Sequence, residues 1–577
     1  MQKNREYKLP SQNKPPPAHD DLSISAKPSE FMRELSVLSG RDMLDRILSS
    51  QDPQGLTKGL PSEDFFWLVK RIGVEDCLPL LELASEDQWQ YLLDLETWRK
   101  DRPDMASASL WLERLFKADS LRLVRWLFNE GRIFAHYHLL KSIEVVITAN
   151  QDESYDLPDG FFSLDGTIYI RVIDPEHRET IENIIRGMAD EDLSLYQNLL
   201  LGLAGLISAE AEEELYRLKN IRLAEHGFLP REEALAIYSP IDPDTLPVTR
   251  SEKLSGDQID EDTKTLVPFS PLSHTGTENM LTQVFSGIED PLLLERIRLE
   301  FAGLCNQIIS ADGHPEHELD ILIKTCRKAA RCLNLAIDRL SGRDFSSAEK
   351  VLRNHSLVTL FQVGFGLVLK LKWEAERWIK GCWFHRSGLD TGFWGEHWGE
   401  TLHGLLQKKP RFFIGVEEED GFKDFEWLSE LADCLKVVRR LMVLDSLMDR
   451  LAETIPVDEE LIQASGVTFH PFLFNLWSRH LLKLDPSFSG IALDQAKTLF
   501  RKLRAGKRAP PYRMAGFEEQ FINEFTAYTP GADPEATGVL LETLGLIWNG
   551  FNDEYEWTEL KDLDGRFSRC ITIIPPT

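Results

Sequence analysis

The stretch "SADGHPEHELD", Ser310 to Asp320, gathers two histidines and four carboxylates around an Asp-Gly turn. Imidazole nitrogens and carboxylate oxygens are ordinary ligands of zinc and iron, which makes His314, His317 and Asp320 the first candidates for a metal site. A metal needs those ligands to converge. Pro315 has no backbone N–H and suits the first position of a helix, so His314 falls outside that helix while His317 and Asp320 share one of its faces. The carboxylates then stand where a helix N-terminal dipole favours them. The expectation is a helix start beginning at Pro315, with Leu319, Leu322 or Ile323, Cys326, Ala330 and Leu333 as its buried stripe, and no metal.

The second candidate is "FWGEHWGETLHGLLQKK", Phe393 to Lys409, which contains Glu400-x-x-His403. A carboxylate and an imidazole at i and i+3 form half of a di-iron site in a helix bundle. The chain has no second E-x-x-H to supply the other half. On a helical wheel Glu396, Glu400, His403 and Gln407 share one face and Trp394, Trp398, Leu402 and Leu405 the other, the pattern of an amphipathic helix with a wet polar side. Nucleophile-elbow, zincin, P-loop and dinucleotide motifs are absent, and Gly364 and Gly366 lie inside an apolar helix, where glycine serves close packing. A Ser-His-Asp set drawn from distant positions is left open, because triads are recognised in space. Catalytic and cofactor-binding residues are unassigned, and no cofactor is expected.

Five tryptophans crowd Trp373 to Trp398. Leu371, Ala375, Trp378 and Cys382 form a core stripe, while Trp373 falls opposite them among Glu376, Arg377 and Lys380. Such an indole stacks on Arg377, packs on a neighbouring helix or anchors a partner. Packing within the chain is the expectation.

These candidates need elements to hold them. "PSEDFFWLVKRIG", "VEDCLPLLELA" and "SEDQWQYLLDLETW" each open with an acidic pair, and Ser85 with Gln88 makes a capping box, so short helices are expected to begin near Ser62, Val74 and Ser85. Units this short must stack, leaving an outer face whose acids Glu63, Asp64, Glu75, Asp76, Glu86 and Asp87 would favour a basic protein partner. The spacing of these acidic starts over Leu60 to Phe128 resembles the short-helix superhelical modules of flagellar-motor and magnesium-transporter cytoplasmic domains. The period changes at "SIEVVITANQD" and "FFSLDGTIYIRV", where Asp165-Gly166 predicts a hairpin with Ile168, Ile170 and Val172 on its packed face. Helices resume through "REEALAIY". From Ser239 to Glu278 the composition turns to Pro, Asp, Ser and Thr, as in a linker.

At 577 residues, with 42% hydrophobic and 28% charged, the chain is long enough for two to four domains. A net charge of -29 works against nucleic acid, and "RKLRAGKRAPPYR", Arg501 to Arg513, reads as a solvated helix end. Seven scattered cysteines with no CxxC predict buried thiols in a reducing compartment. The first residues lack a signal-peptide core and read as a disordered tail. The apolar runs Leu357 to Leu369 and Leu199 to Ile207 fall short of the roughly 18 residues a bilayer span needs, so a cytoplasmic protein without a membrane span is expected.

The segment "RLKNIRLAEHGFLPREEALAIYSP", Arg217 to Pro240, together with "DGFFSLDGTIYIRV" and the "WEAERW" to "FWGEHW" region, resembles an uncharacterised bacterial family, domain of unknown function 6178. The resemblance runs over most of the chain and implies no activity. The reading is a mainly α, multidomain protein of short-helix stacks and bundles with a small antiparallel β hairpin or meander at about 143–173. Its expected parts are a tail over 1–30, a helical stack with an inserted sheet over 31–238, a linker over 239–278, a Trp-rich helical domain over 279–454 and a C-terminal α+β segment over 455–577. The expected role is interaction or scaffolding with a protein partner, oligomeric state unassigned. The alternative is an enzyme or small-ligand sensor with a site in the Trp-rich 370–405 region.

Overall fold

The computed structural model describes residues 31–32, 34–35, 38–99, 101–148, 158–203, 205–246, 278–314, 318–415, 421–457, 462, 466–504, 509–512 and 514–574. The protein is mainly α-helical with a few small strand pairs. Short helices Pro53–Lys58, Ser62–Ile72, Leu78–Leu83 and Glu86–Glu96 open the stack. The Ser85 capping box forms in both directions, at 3.2 and 2.9 Å. The Gln88 amide also donates to the Thr57 and Leu60 carbonyls, each at 2.8 Å, so the cap ties two units together. The helix expected near Val74 begins instead at Leu78. Pro79 is tolerated only in a first turn, which leaves Glu75 and Asp76 in the turn before it.

The sheet follows the hairpin signal. Phe162–Ser163 and Ile168–Val172 pair antiparallel across Asp165-Gly166, and Ile143–Ile147 lies along the other side of Ile168–Val172. Ile168, Ile170 and Val172 are buried, as alternation requires. Gly166 takes a positive φ of 72°, and the Asp165 carboxylate accepts from the Thr167 and Ile168 amides at 2.9 and 2.8 Å, closing the turn. Near the C-terminus Ile573–Ile574 pairs parallel with Ile491–Ala492.

Among the described residues two large apolar cores stand beside a small cluster of Trp98, Tyr137, Ala211 and Leu215. One gathers side chains from Phe31 to Phe365, the other from Leu335 to Ile573. The long helices Leu319–Ser341 and Leu357–Ile379 contribute to both and pack on each other. Their close approach depends on Gly364, where an added Cβ would lie 2.0 Å from the Cys332 carbonyl oxygen. Ile237, on one side of residues 247–277, and Met280 and Leu281, on the other, lie in the same core. Residues 239–246 dock on the long helices, with the Ile241 amide on the Gln362 carbonyl at 3.4 Å and Asp244 ion-paired to Arg339 at 3.0 Å. The seven cysteines are free thiols and all are buried. Among the described residues no single helix is long and apolar enough to cross a membrane.

Candidate functional site

The motif Ser310 to Asp320 is divided between two helices. Pro291–Asp312 runs into it and ends at Gly313, whose φ of 67° is the left-handed conformation of a helix C-terminus. The next helix begins at Leu319, not at the expected Pro315, with Glu318 as its cap. Asp312 is therefore a C-terminal carboxylate, on the end of the dipole that opposes it, and other charges must compensate. His314 is half-exposed, with Nε2 3.9 Å from Asp312 Oδ2. Asp320 is exposed in the first turn of its helix, and His317 lies outside the described residues. Glu400 and His403 stand on the solvent-facing side of Gly395–Leu406, where the His403 ring meets Phe422 at 6.1 Å between centroids. His397 meets Phe413 in the same way at 6.0 Å, and His385 is exposed. Among the described residues no three His, Cys, Asp or Glu side chains converge as a metal site.

The chemistry of the motif collects around Asp312. Its carboxylate accepts from the Tyr238 phenol at 2.5 Å and the Lys328 ammonium at 2.9 Å, and also pairs with Lys409. Lys328 donates to the Tyr238 oxygen at 2.6 Å. Both ammonium groups lie over the Tyr238 ring, at 4.8 Å for Lys328 and 4.7 Å for Lys409. Burial pushes the Asp312 carboxyl up, but the Lys328 charge and the hydrogen bonds from Lys409, Tyr238 and Lys328 outweigh it and hold the group below the usual carboxylate range. Burial, then the Asp312 charge, drives the Tyr238 phenol far above its ordinary value. Burial and the neighbouring Lys328 pull Lys409 down.

The same helix carries the polar groups onward. Asn334 donates to the Glu426 carbonyl at 2.8 Å and Asn279 to the Glu426 carboxylate at 2.9 Å. Glu430 accepts from the Glu426 and Trp427 amides at 2.7 and 3.1 Å and pairs with Lys423 at 2.6 Å. Asp338 takes the Leu428 amide at 3.2 Å and Arg343 at 3.0 Å. Asn334 and Asp338 thus stitch Leu319–Ser341 to Glu426 and Leu428, and Lys328 meets Lys409 only through their shared Asp312, a polar seam beside both apolar cores.

A model of the family of unknown function DUF6178 matches residues 23–573. The chain belongs to that family. No curated protein and no solved structure matches it.

A Ser-His contact does occur, Ser109 Oγ to His138 Nε2 at 3.0 Å, but both residues are buried, and the cavity beside them holds only about 10 Å³ among Leu112, Leu127, Ile181 and Met188. Asp174, whose charge acts on His138, instead binds His177 at 2.8 Å. This is a core hydrogen bond without room for a substrate. The acidic helix starts do not form one outer face either. Glu63 and Asp64 are buried, Glu63 on His226 Nδ1 at 2.7 Å, while Glu75, Asp76, Glu86 and Asp87 are exposed.

Trp373 is the outlier among the five tryptophans from Trp373 to Trp398. Trp383 and Trp394 are buried and Trp398 stacks on Phe469 at 5.7 Å. Trp373 is 46% exposed. Its backbone carbonyl accepts from Arg377 at 3.3 Å, but the guanidinium does not stack on the ring. Along the Leu357–Ile379 helix and its C-cap, Lys370, Trp373, Arg377 and Lys380 are the exposed positions, at spacings of three, four and three, so they form one outward stripe. Sequence periodicity places Trp373 off the core stripe, as expected, but the expected packing within the chain leaves the residue nearly half exposed. The polar seam had a weaker signal: Asn334 and Asp338 fall in a run buried from Cys332 to Asp338, so they had to find partners.

Proposed function

We propose that this protein is an interaction scaffold and that a protein partner docks through an acidic segment on the outer stripe of the Leu357–Ile379 helix. The observation that carries this reading is an indole 46% exposed between cations that form no ion pair within the described structure. Lys370, Arg377 and Lys380 stand together on this stripe without an ion pair in the described structure, on a chain whose net charge is -29. Tryptophan and arginine are the residues most enriched at interface hot spots, and complementary charge speeds and selects the encounter. The open polar side of Gly395–Leu406 supports scaffolding over an enclosed reaction site in the 370–405 region.

The test is selection of peptides from a random displayed library on the full chain, followed by binding measurements on Trp373→Ala and on Lys370, Arg377 and Lys380 reversed to Glu. The expected result is enrichment of acidic sequences with an apolar anchor, bound at least tenfold more weakly by both variants while circular dichroism stays unchanged. No enrichment, or peptides indifferent to both variants, overturns the reading.

A further inference from the structure

We propose that the corner where Arg231, His314, Lys328 and Lys409 surround Asp312 binds the phosphoryl group of a small phosphorylated ligand. Charge balance leads to this site. Two ammonium groups share one carboxylate, and the described structure gives neither a second ion pair. The phenol of Tyr238 is committed to Asp312 and its ring to the two cations, so neither adds negative charge. Asp424 also acts on Tyr238 through its charge, without forming an ion pair with either lysine. Asp312 and Asp424 together offset Lys328 and Lys409, so the excess positive charge of the corner is that of the exposed Arg231, with Lys408 beside Lys409, at the edge of the core where screening by water is incomplete.

The corner also has an open side. Lys328 and Asp312 are the floor, with side chains 12% and 7% exposed, while Lys409 is 33% exposed and His314 50%. Arg231 is exposed and without an ion pair in the described structure, and its guanidinium rests against Gly313, 3.3 Å from where a Cβ would stand. A side chain at Gly313 would press on the Arg231 guanidinium. Three separate elements thus bring cations to the Asp312-Gly313 helix end: the Arg231–Ala234 turn to Gly313, and the Leu319–Ser341 helix and the segment after Gly395–Leu406 to Asp312. A carboxylate offers two acceptors in one plane, whereas a phosphoryl group offers three at tetrahedral angles with up to two charges, which suits donors arriving from three directions. The overall charge of -29 repels anions at long range, so binding is expected to be salt-sensitive and of modest affinity.

The experiment is calorimetric titration of the full chain at low salt with pyrophosphate, phenyl phosphate, acetate and a phosphoserine peptide, repeated on Lys409→Gln and Arg231→Gln. Both substituted side chains reach solvent, and thermal unfolding checks that each variant folds. The expected result is saturable binding of pyrophosphate or phenyl phosphate, none of acetate, and at least tenfold weaker binding in each variant. Absence of phosphoryl binding, or equal affinity in wild type and both variants, overturns the proposal. Tighter binding of the phosphoserine peptide than of either small phosphate overturns the assignment to a small ligand.

Discussion

At Asp312 one carboxylate answers two ammonium groups and a phenol, all inside a helix-end environment that on its own disfavours a negative charge. Removing the acid strands both cations, so Asp312→Asn is expected to destabilise the fold by about 3–5 kcal/mol. Lys409→Gln, which leaves Lys328 in place, is expected to cost far less. Urea unfolding of the two variants checks this order; equal losses would contradict it. His138 makes a pH-dependent contribution. Burial pushes its pKa down to about 4, against the opposing charge of Asp174. The folded protein therefore refuses a proton that the unfolded chain accepts near its ordinary pKa. Stability from this residue is complete above that ordinary value and declines as pH falls toward about 4, by on the order of 3 kcal/mol in all. His138→Gln should flatten the dependence of the urea midpoint between about pH 7 and pH 4, in proportion to that loss. An unchanged slope would mean that His138 titrates normally.

Between elements, the closest contact is the crossing of Leu319–Ser341 and Leu357–Ile379. Alanine at Gly364 improves helix propensity by up to about 1 kcal/mol, but its Cβ meets the Cys332 backbone oxygen, an atom that cannot swing aside. Gly364→Ala is therefore expected to destabilise by about 1–3 kcal/mol net. Gly538, in the Pro534–Tyr555 helix with nothing near its added Cβ, is the control: alanine there should be neutral or stabilising. Thermal unfolding of the pair distinguishes a steric contact from a general intolerance of alanine. Local chemistry made several elements legible. Asp165-Gly166 announced its hairpin, Ser85 with Gln88 its helix start, and the apolar stripe through Cys326, Ala330 and Leu333 its core face. The site around Asp312 was less legible because its members lie far apart in the chain. Lys409 follows Asp312 by 97 residues and Tyr238 precedes it by 74, and no local period connects them. The motif drew attention through its histidines, while its buried acid carried the contacts.

Across the whole molecule, composition marked where apolar periodicity lapses, at Ser239 to Glu278, but apolar side chains from both sides of residues 247–277 share one core. Protease cleavage within 247–277 is expected to leave two fragments that co-elute on size exclusion and separate only in denaturant. Separation under native conditions would show that this shared core does not hold the halves together. On the outer surface, the scaffold reading makes Trp373 a residue covered by a partner in its working state, unlike Trp557, which is 64% exposed. Hydroxyl-radical footprinting compares the two indoles directly, in the purified chain and inside the cells that make it. The account predicts that Trp373 oxidises at least several-fold more slowly relative to Trp557 in cells than when purified, and that the difference disappears when Lys370, Arg377 and Lys380 are reversed to Glu. An unchanged ratio would contradict it.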